Sequence, residues 1–361
     1  MPVPFPATAS GMELDLLKEL FTEEEAAIAC EISAFPEPAE KIHKRLKNHK
    51  FTLEEVRIKL HHLAVKGAIM EIQGPDQPNE QYHKIPLAIG IFEFQVNRLS
   101  RRFADLFYAY KKEAFFDALF KMKTHQTRTI PVNVSLEPHY VVGNYDNIRQ
   151  LVKDSPGPFA IMNCVCRQAK DLLEKRCKLT DHRETCITLE SAASHMIRRG
   201  VAREIDRDEL MKFLTFAKKE GLVLQPENTQ HPTFICCCCG CCCGILSAAA
   251  TYDKPAEYFH SNFRMYVQTE ICDGCEECIE RCQMKAIHRI NGHVEIRWER
   301  CIGCGICGPV CKQKALKLIK KENETLPPRN QGEMYKKMMI ERYGMTRTLG
   351  MVIKSKLGYK V

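Results

Sequence analysis

The 361-residue sequence has no apolar run of the roughly 18 residues that a membrane-spanning helix needs. Its most apolar stretch, 234–250, owes that character mainly to cysteine. The first eleven residues lack the cationic start and apolar core of a secretory leader. No glycine-rich phosphate loop, flavin fingerprint or Ser/His/Asp set is present, so no bound organic cofactor is expected. With 45% apolar and 27% charged residues, the composition excludes a disordered tail protein. These absences predict a cytoplasmic chain of two or three domains. What is abundant is cysteine: twenty residues, which in a reducing compartment read as thiolates holding metal rather than as disulfides.

Charge is uneven. The segment 312–361 holds 13 Lys and Arg against 4 Glu, so the preceding 311 residues carry −1 of the formal +8. A basic tail over 321–361 attracts acidic partners, nucleic acid or anionic membranes without choosing among them, or packs along the body through its Leu, Met and Tyr residues. At the other end, Thr22-x-x-Glu25 and Thr52-x-x-Glu55 are capping boxes, and Pro38 suits a first helical turn. Val56, Leu60 and Leu63 mark one helix, which Gly67 stops. Strands are predicted over 68–72 and 82–85, around the turn Gly74-Pro75-Asp76. Three helices and a two-stranded wing make 12–92 a winged-helix-like domain. Its outer face shows Arg57, Lys59, His61, His62 and Lys66, a set able to contact phosphate. Glu54, Glu55 and Glu71 dilute that face, so protein contact is favoured over nucleic acid. Cys30, alone in a helical pattern, reads as a small buried residue.

A helical connecting region is expected over 93–157, with Phe94, Phe103, Phe107, Tyr110, Phe115 and Phe120 as core and a strand over 130–142. A cysteine-rich region of mixed α and β structure follows over 158–263. Its helices run from about 189 to 199 and from Asp206 to Gly221, and the second leads into a strand at 222–224.

The chemistry is concentrated late in the chain. Cys272-x-x-Cys275-x-x-Cys278-x-x-x-Cys282 recurs as Cys301-x-x-Cys304-x-x-Cys307-x-x-x-Cys311, each cysteine 29 residues after its counterpart, with Ala286 and Ala315 at the same offset. Between the runs, Asn291-Gly292 signals a type I′ hairpin. Three cysteines at steps of three wrap a cubane, and the fourth ligand comes from the other run. One cluster then takes Cys272, Cys275, Cys278 and Cys311, and the other takes Cys301, Cys304, Cys307 and Cys282. Zinc sites would need only paired Cys-x-x-Cys knuckles. The pattern over 264–320 resembles a bacterial two-cluster ferredoxin domain. Proline commonly follows the fourth cysteine in that family, whereas Gln283 and Lys312 stand there in this chain, which bears on local turn geometry and potential.

Two further cysteine groups lie upstream: Cys164, Cys166, Cys177 and Cys186, then seven cysteines within 236–243. Adjacent cysteines cannot all face one core, so metal is the expected role, as one or more additional iron–sulfur clusters. Zinc in the first group is the alternative. Asn163-Cys164-x-Cys166-Arg167, Glu184-Thr185-Cys186, Arg203-Glu204-Ile205, the cysteine pile and Gly90-Ile91-Phe92-Glu93-Phe94 together resemble a family of ferredoxin-domain iron–sulfur proteins of anaerobic bacteria and archaea. The resemblance covers most of 15–320 and implies low-potential electron transfer. It also implies metal ligation by Cys164, Cys166, Cys177, Cys186, Cys236, Cys238, Cys239, Cys241, Cys242 and Cys243. The family's usual pile reads Cys-Asn-Cys-Cys-x-Cys-Cys, so Cys237 occupies the asparagine position. His182, His195, His231 and His260 flank these groups and read as structural.

The expectation is an α+β iron–sulfur protein relaying single electrons between a redox partner and the upstream centre. Its rivals are an iron–sulfur reductase with the pile as substrate site, and a redox-sensing winged-helix regulator.

Overall fold

The computed structural model describes residues 1–46, 50–72, 80–132 and 144–361. It divides into one unit of 1–123 with 335–361, and a second of 124–334.

In the first unit, both capping boxes form: Thr22 and Thr52 each accept from the backbone of the glutamate three residues on, whose carboxylate returns the bond. The helices they start, Glu23–Glu31 and Leu53–Val65, pack with Ala39–Arg45 over a core of Ile28, Ile32, Ile42, Val56, Leu60, Leu63 and Tyr82. Strands Glu37–Pro38, Gln81–His83 and Met70–Ile72 form an antiparallel sheet in that order. The predicted Gly74-Pro75-Asp76 turn lies outside the described residues.

Cys30 corrects one expectation. It is exposed, because Ile28 and Ile32 lie on the buried side of the chain and Cys30 falls midway between them, on the opposite face of the helix. The basic side chains of the outer face are all engaged: Arg57 with Glu40, Lys59 with Glu24, His61 with Glu71, and His62 and Lys66 with Glu25.

The long aromatic region is one continuous helical stretch, Arg101–Tyr110 running through a wider π turn, Lys111–Phe115, into Phe116–Phe120. The six aromatics expected as core are buried, and Phe92 stacks on Phe107 at 3.6 Å. Lys111 is buried because rings surround it, Tyr108 at 4.0 Å and Phe107 at 4.6 Å from Nζ.

The end of the basic segment is docked within this unit. Ala34 N–H donates to the Val361 carbonyl, Arg45 to the Gly358 carbonyl, and Lys360 pairs with Glu31. Helix Gln331–Tyr343 buries Met334, Met338 and Met339, and helix Met345–Lys356 follows.

The second unit is built on a five-stranded antiparallel sheet in the order Arg203–Ile205, Phe159–Asn163, Glu184–Leu189, Phe234–Cys238, Val223–Pro226. Its helices start and stop where local chemistry dictates. Asp206 accepts from Glu209 N–H to open Arg207–Glu220, and Gly221 ends it at φ 76°. Most of the strand predicted over 130–142 lies outside the described residues, and Ile130 bridges to Leu224.

The late-chain repeat forms two antiparallel pairs, Phe263–Val267 with Leu316–Lys320 and Ile287–Ile290 with His293–Ile296. Asn291 and Gly292 both take positive φ, as a type I′ turn requires. The 29-residue offset holds in the backbone itself. Gly274 and Gly303 sit at φ 65° and 69°, Lys285 and Lys314 at 52° and 54°.

Candidate metal centres

The ferredoxin-like cysteines lie on two loops beside the hairpin and the Phe263–Val267/Leu316–Lys320 strand pair. Ala286 N–H donates to Cys282 Sγ at 3.2 Å, and Ala315 N–H to Cys311 Sγ at 3.3 Å, so the repeat extends to how each fourth cysteine is held. Met265 N–H donates to Cys301 Sγ at 3.4 Å. A cavity beside this loop is lined by Cys282, Cys301, Cys304 and Cys307 with Met265, Met284, Ile287 and Ile302, a nearly apolar wall broken by four sulfurs. Burial pushes the Cys304 and Cys307 thiols upward, and the nearby charges of Cys282 and Cys301 add to it. Burial likewise takes Cys278 to about 11, with Cys275, Cys311 and Cys272 close by. Thiols so placed ionise only against a bound cation, and an all-sulfur donor set in an apolar pocket fits iron–sulfur chemistry.

Upstream, strand geometry sorts the cysteines. In Phe234–Cys238 the side chains alternate, so Cys236 and Cys238 share one face while Cys237 turns to the other and is buried with Ile235. Cys186 pairs directly with Cys236 across the sheet. Thiol contacts then run from Cys186 to Cys236, Cys238, Cys243, Cys166 and Cys164. Cys177 leaves this set. Its Sγ stands 3.7 Å from both Cys239 and Cys241, and these three with Cys242 lie within 4.8 Å of one another. The first cysteine group is thus divided between two places, with Cys177 in one and Cys164, Cys166 and Cys186 in the other.

Arg167 sits between them. Only 1% exposed, it donates from Nη1 to Cys177 Sγ at 2.7 Å and from Nε to Thr185 Oγ1 at 3.1 Å. Burial opposes its charge, but the surrounding Cys239, Cys164, Cys177 and Cys242 outweigh that and hold it protonated. Its Nη2 is buried without a hydrogen-bond partner among the described residues.

The two cysteine regions touch. Gly240, between Cys239 and Cys241, donates its N–H to Gln283 Oε1 at 2.8 Å. Gln283 follows Cys282 directly and stands where the family pattern commonly has proline. From sequence that departure bears on turn geometry and potential; the contact to Gly240, 43 residues away, has no local signal. The contact is braced by Arg281, which donates to the Lys218 and Lys219 carbonyls at a helix end, and by Arg300, which donates to the Ala250, Tyr252 and Asp253 carbonyls. Lys312 pairs with Glu277 at 2.6 Å, which offsets part of its charge beside the cysteine loops.

Residues 294–317 match the family of 4Fe-4S binding domains, a span that takes in Cys301, Cys304, Cys307 and Cys311. The molecule is an iron–sulfur protein of mixed α and β structure. No curated protein and no solved structure matches the chain. Among the described residues no helix is long and apolar enough to cross a membrane.

Proposed function

We propose that this chain is a low-potential electron-transfer protein, passing single electrons between a redox partner protein and the upstream cysteine centre. In this reading Cys272, Cys275, Cys278 and Cys311 hold one four-iron cluster, and Cys301, Cys304, Cys307 and Cys282 hold a second. Cys164, Cys166, Cys186, Cys236, Cys238 and Cys243 form the upstream redox centre. Bound clusters of this type supply one-electron chemistry. The protein's own part is to keep the ligand loops dry and close together. Apolar walls around the sulfurs disfavour added negative charge, which keeps the potential low.

The observation that carries this reading is the Gly240–Gln283 hydrogen bond. It joins the residue after Cys282 to the turn that directly follows Cys238 of the upstream centre, so a short bonded path runs from the ferredoxin-like loop to that centre.

The order of helices and strands in the first unit supports a winged-helix-like module. The pairing of Arg57, Lys59, His61, His62 and Lys66 with carboxylates supports a protein partner over nucleic acid. A cytoplasmic, oxygen-poor setting suits so many reduced thiols.

The test is iron and acid-labile sulfide analysis of the anaerobically purified chain, with electron paramagnetic resonance after reduction. Two ferredoxin-type clusters give about eight iron and eight sulfide, and the upstream centre adds to both. Iron near eight removes the upstream redox centre. A colourless, iron-poor chain removes the proposal.

A further inference from the structure

The four-thiol set Cys177, Cys239, Cys241 and Cys242 differs in kind from the other cysteines. Its Sγ separations include 3.4 Å for Cys239–Cys241 and 3.7 Å for Cys177–Cys239, Cys177–Cys241 and Cys241–Cys242, and every pair is within 4.8 Å. Four sulfurs bound tetrahedrally at about 2.3 Å from one ion stand about 3.8 Å apart. A cubane requires something else: each thiolate serves its own iron, so the sulfurs are spread around the cluster. The rest of the molecule provides the contrast. Among the described residues, neither the eight ferredoxin-like cysteines nor the six sheet-side cysteines contain three sulfurs drawn together within that span.

We propose that Cys177, Cys239, Cys241 and Cys242 form a closed site for a single tetrahedral Zn²⁺, separate from the iron–sulfur centres. Four thiolates complete the coordination and leave no open position, the arrangement of a structural site. Zn²⁺ is chosen over a lone Fe²⁺ because a given sulfur site holds it more tightly. Four thiolates and one divalent ion leave two negative charges. Arg167 answers them with its guanidinium on Cys177 Sγ at 2.7 Å, and the Lys178 N–H donates to Cys241. The ion ties Cys177, in the segment after helix Val165–Leu172, to the turn that follows strand Phe234–Cys238. That tie holds the pile's turn, and with it Gly240, in place against Gln283.

The test uses the full chain, purified without oxygen or added metal. Metal analysis is expected to give about one zinc per chain, and absorption at the zinc edge to show four sulfurs at about 2.3 Å with no short metal–metal distance. In the double variant Cys177→Ser/Cys242→Ser, zinc falls about tenfold or more while iron and sulfide stay at the level of the unmodified chain. Zinc absent from the unmodified chain, zinc bound by nitrogen or oxygen, or loss of iron and sulfide in the variant each overturns the assignment. If the variant does not fold, the zinc-edge spectrum of the unmodified chain decides. A chain poor in iron but holding zinc on four sulfurs would sink the electron-transfer reading and leave this one standing.

Discussion

Replacing Gly303 with alanine tests whether the ferredoxin-like loop is shaped by the backbone contact seen here. Gly303 lies between Cys301 and Cys304 at φ 69°, where a residue with a Cβ pays about 1–2 kcal/mol. The added Cβ would also fall 2.2 Å from the Phe263 carbonyl oxygen and 2.8 Å from its carbon, so loop or strand must retreat by about 1 Å to reach ordinary contact. Phe263 is fully buried and begins the strand whose Met265 N–H reaches Cys301 Sγ, so the retreat acts directly on a ligand loop. Overpacking of this kind costs a further 1–3 kcal/mol or so. Gly292→Ala is the internal control. Its φ is 86° but nothing lies within 4 Å of the added carbon, so it carries the conformational cost alone. In anaerobic thermal unfolding followed by cluster absorbance, Gly303→Ala should melt about 2–12 °C below Gly292→Ala, with reduced iron content. Equal melting temperatures and full iron in both would refute the reasoning. Gly274→Ala, whose Cβ falls 2.2 Å from the Gly292 carbonyl oxygen, should behave like Gly303→Ala at the other loop.

Arg45 donates to the Glu31 carbonyl, the buried Glu37 carboxylate and the Gly358 carbonyl. Arg45→Met should cost about 3–5 kcal/mol and expose the C-terminal end to limited proteolysis, whereas adding Glu37→Gln should recover part of the stability. Unchanged proteolysis would count against the docked end. His125 is held neutral by burial, with the charge of His260 adding, and its pKa falls to about 4. The unfolded chain takes up that proton first, near pH 6.5. Stability from this group is therefore intact above pH 6.5, declines as pH falls toward 4, and amounts to about 3 kcal/mol. His125→Phe should then narrow the gap in melting temperature between pH 7 and pH 5, and an unchanged gap would contradict the assignment. Thr52→Ala should cost about 1 kcal/mol in denaturant unfolding of the first unit through loss of its capping box.

Where local chemistry governs, the reading from sequence and the structure coincide. The helix starts at Thr22, Thr52 and Asp206, the stop at Gly221 and the hairpin at Asn291-Gly292 each depend on bonds or torsions within four residues. Cys30 went the other way, because a single cysteine in a helix does not reveal which face the helix buries. The basic segment was also ambiguous from charge alone. The bonds from Ala34 and Arg45 to Val361 and Gly358 span more than 300 residues, beyond the reach of any local signal.

The sequence by itself determined the doubled loop of cysteines, because ligand spacing, left-handed glycines and hairpin residues recur at one fixed offset and act over short stretches. Only the tertiary structure decided how the upstream cysteines are grouped. Strand alternation turns Cys237 away, antiparallel register sets Cys186 beside Cys236, and the fold carries Cys177 across 62 residues to Cys239. Alternation and register are properties of a sheet assembled from distant segments, so the partners of each thiol exist only once those segments have paired.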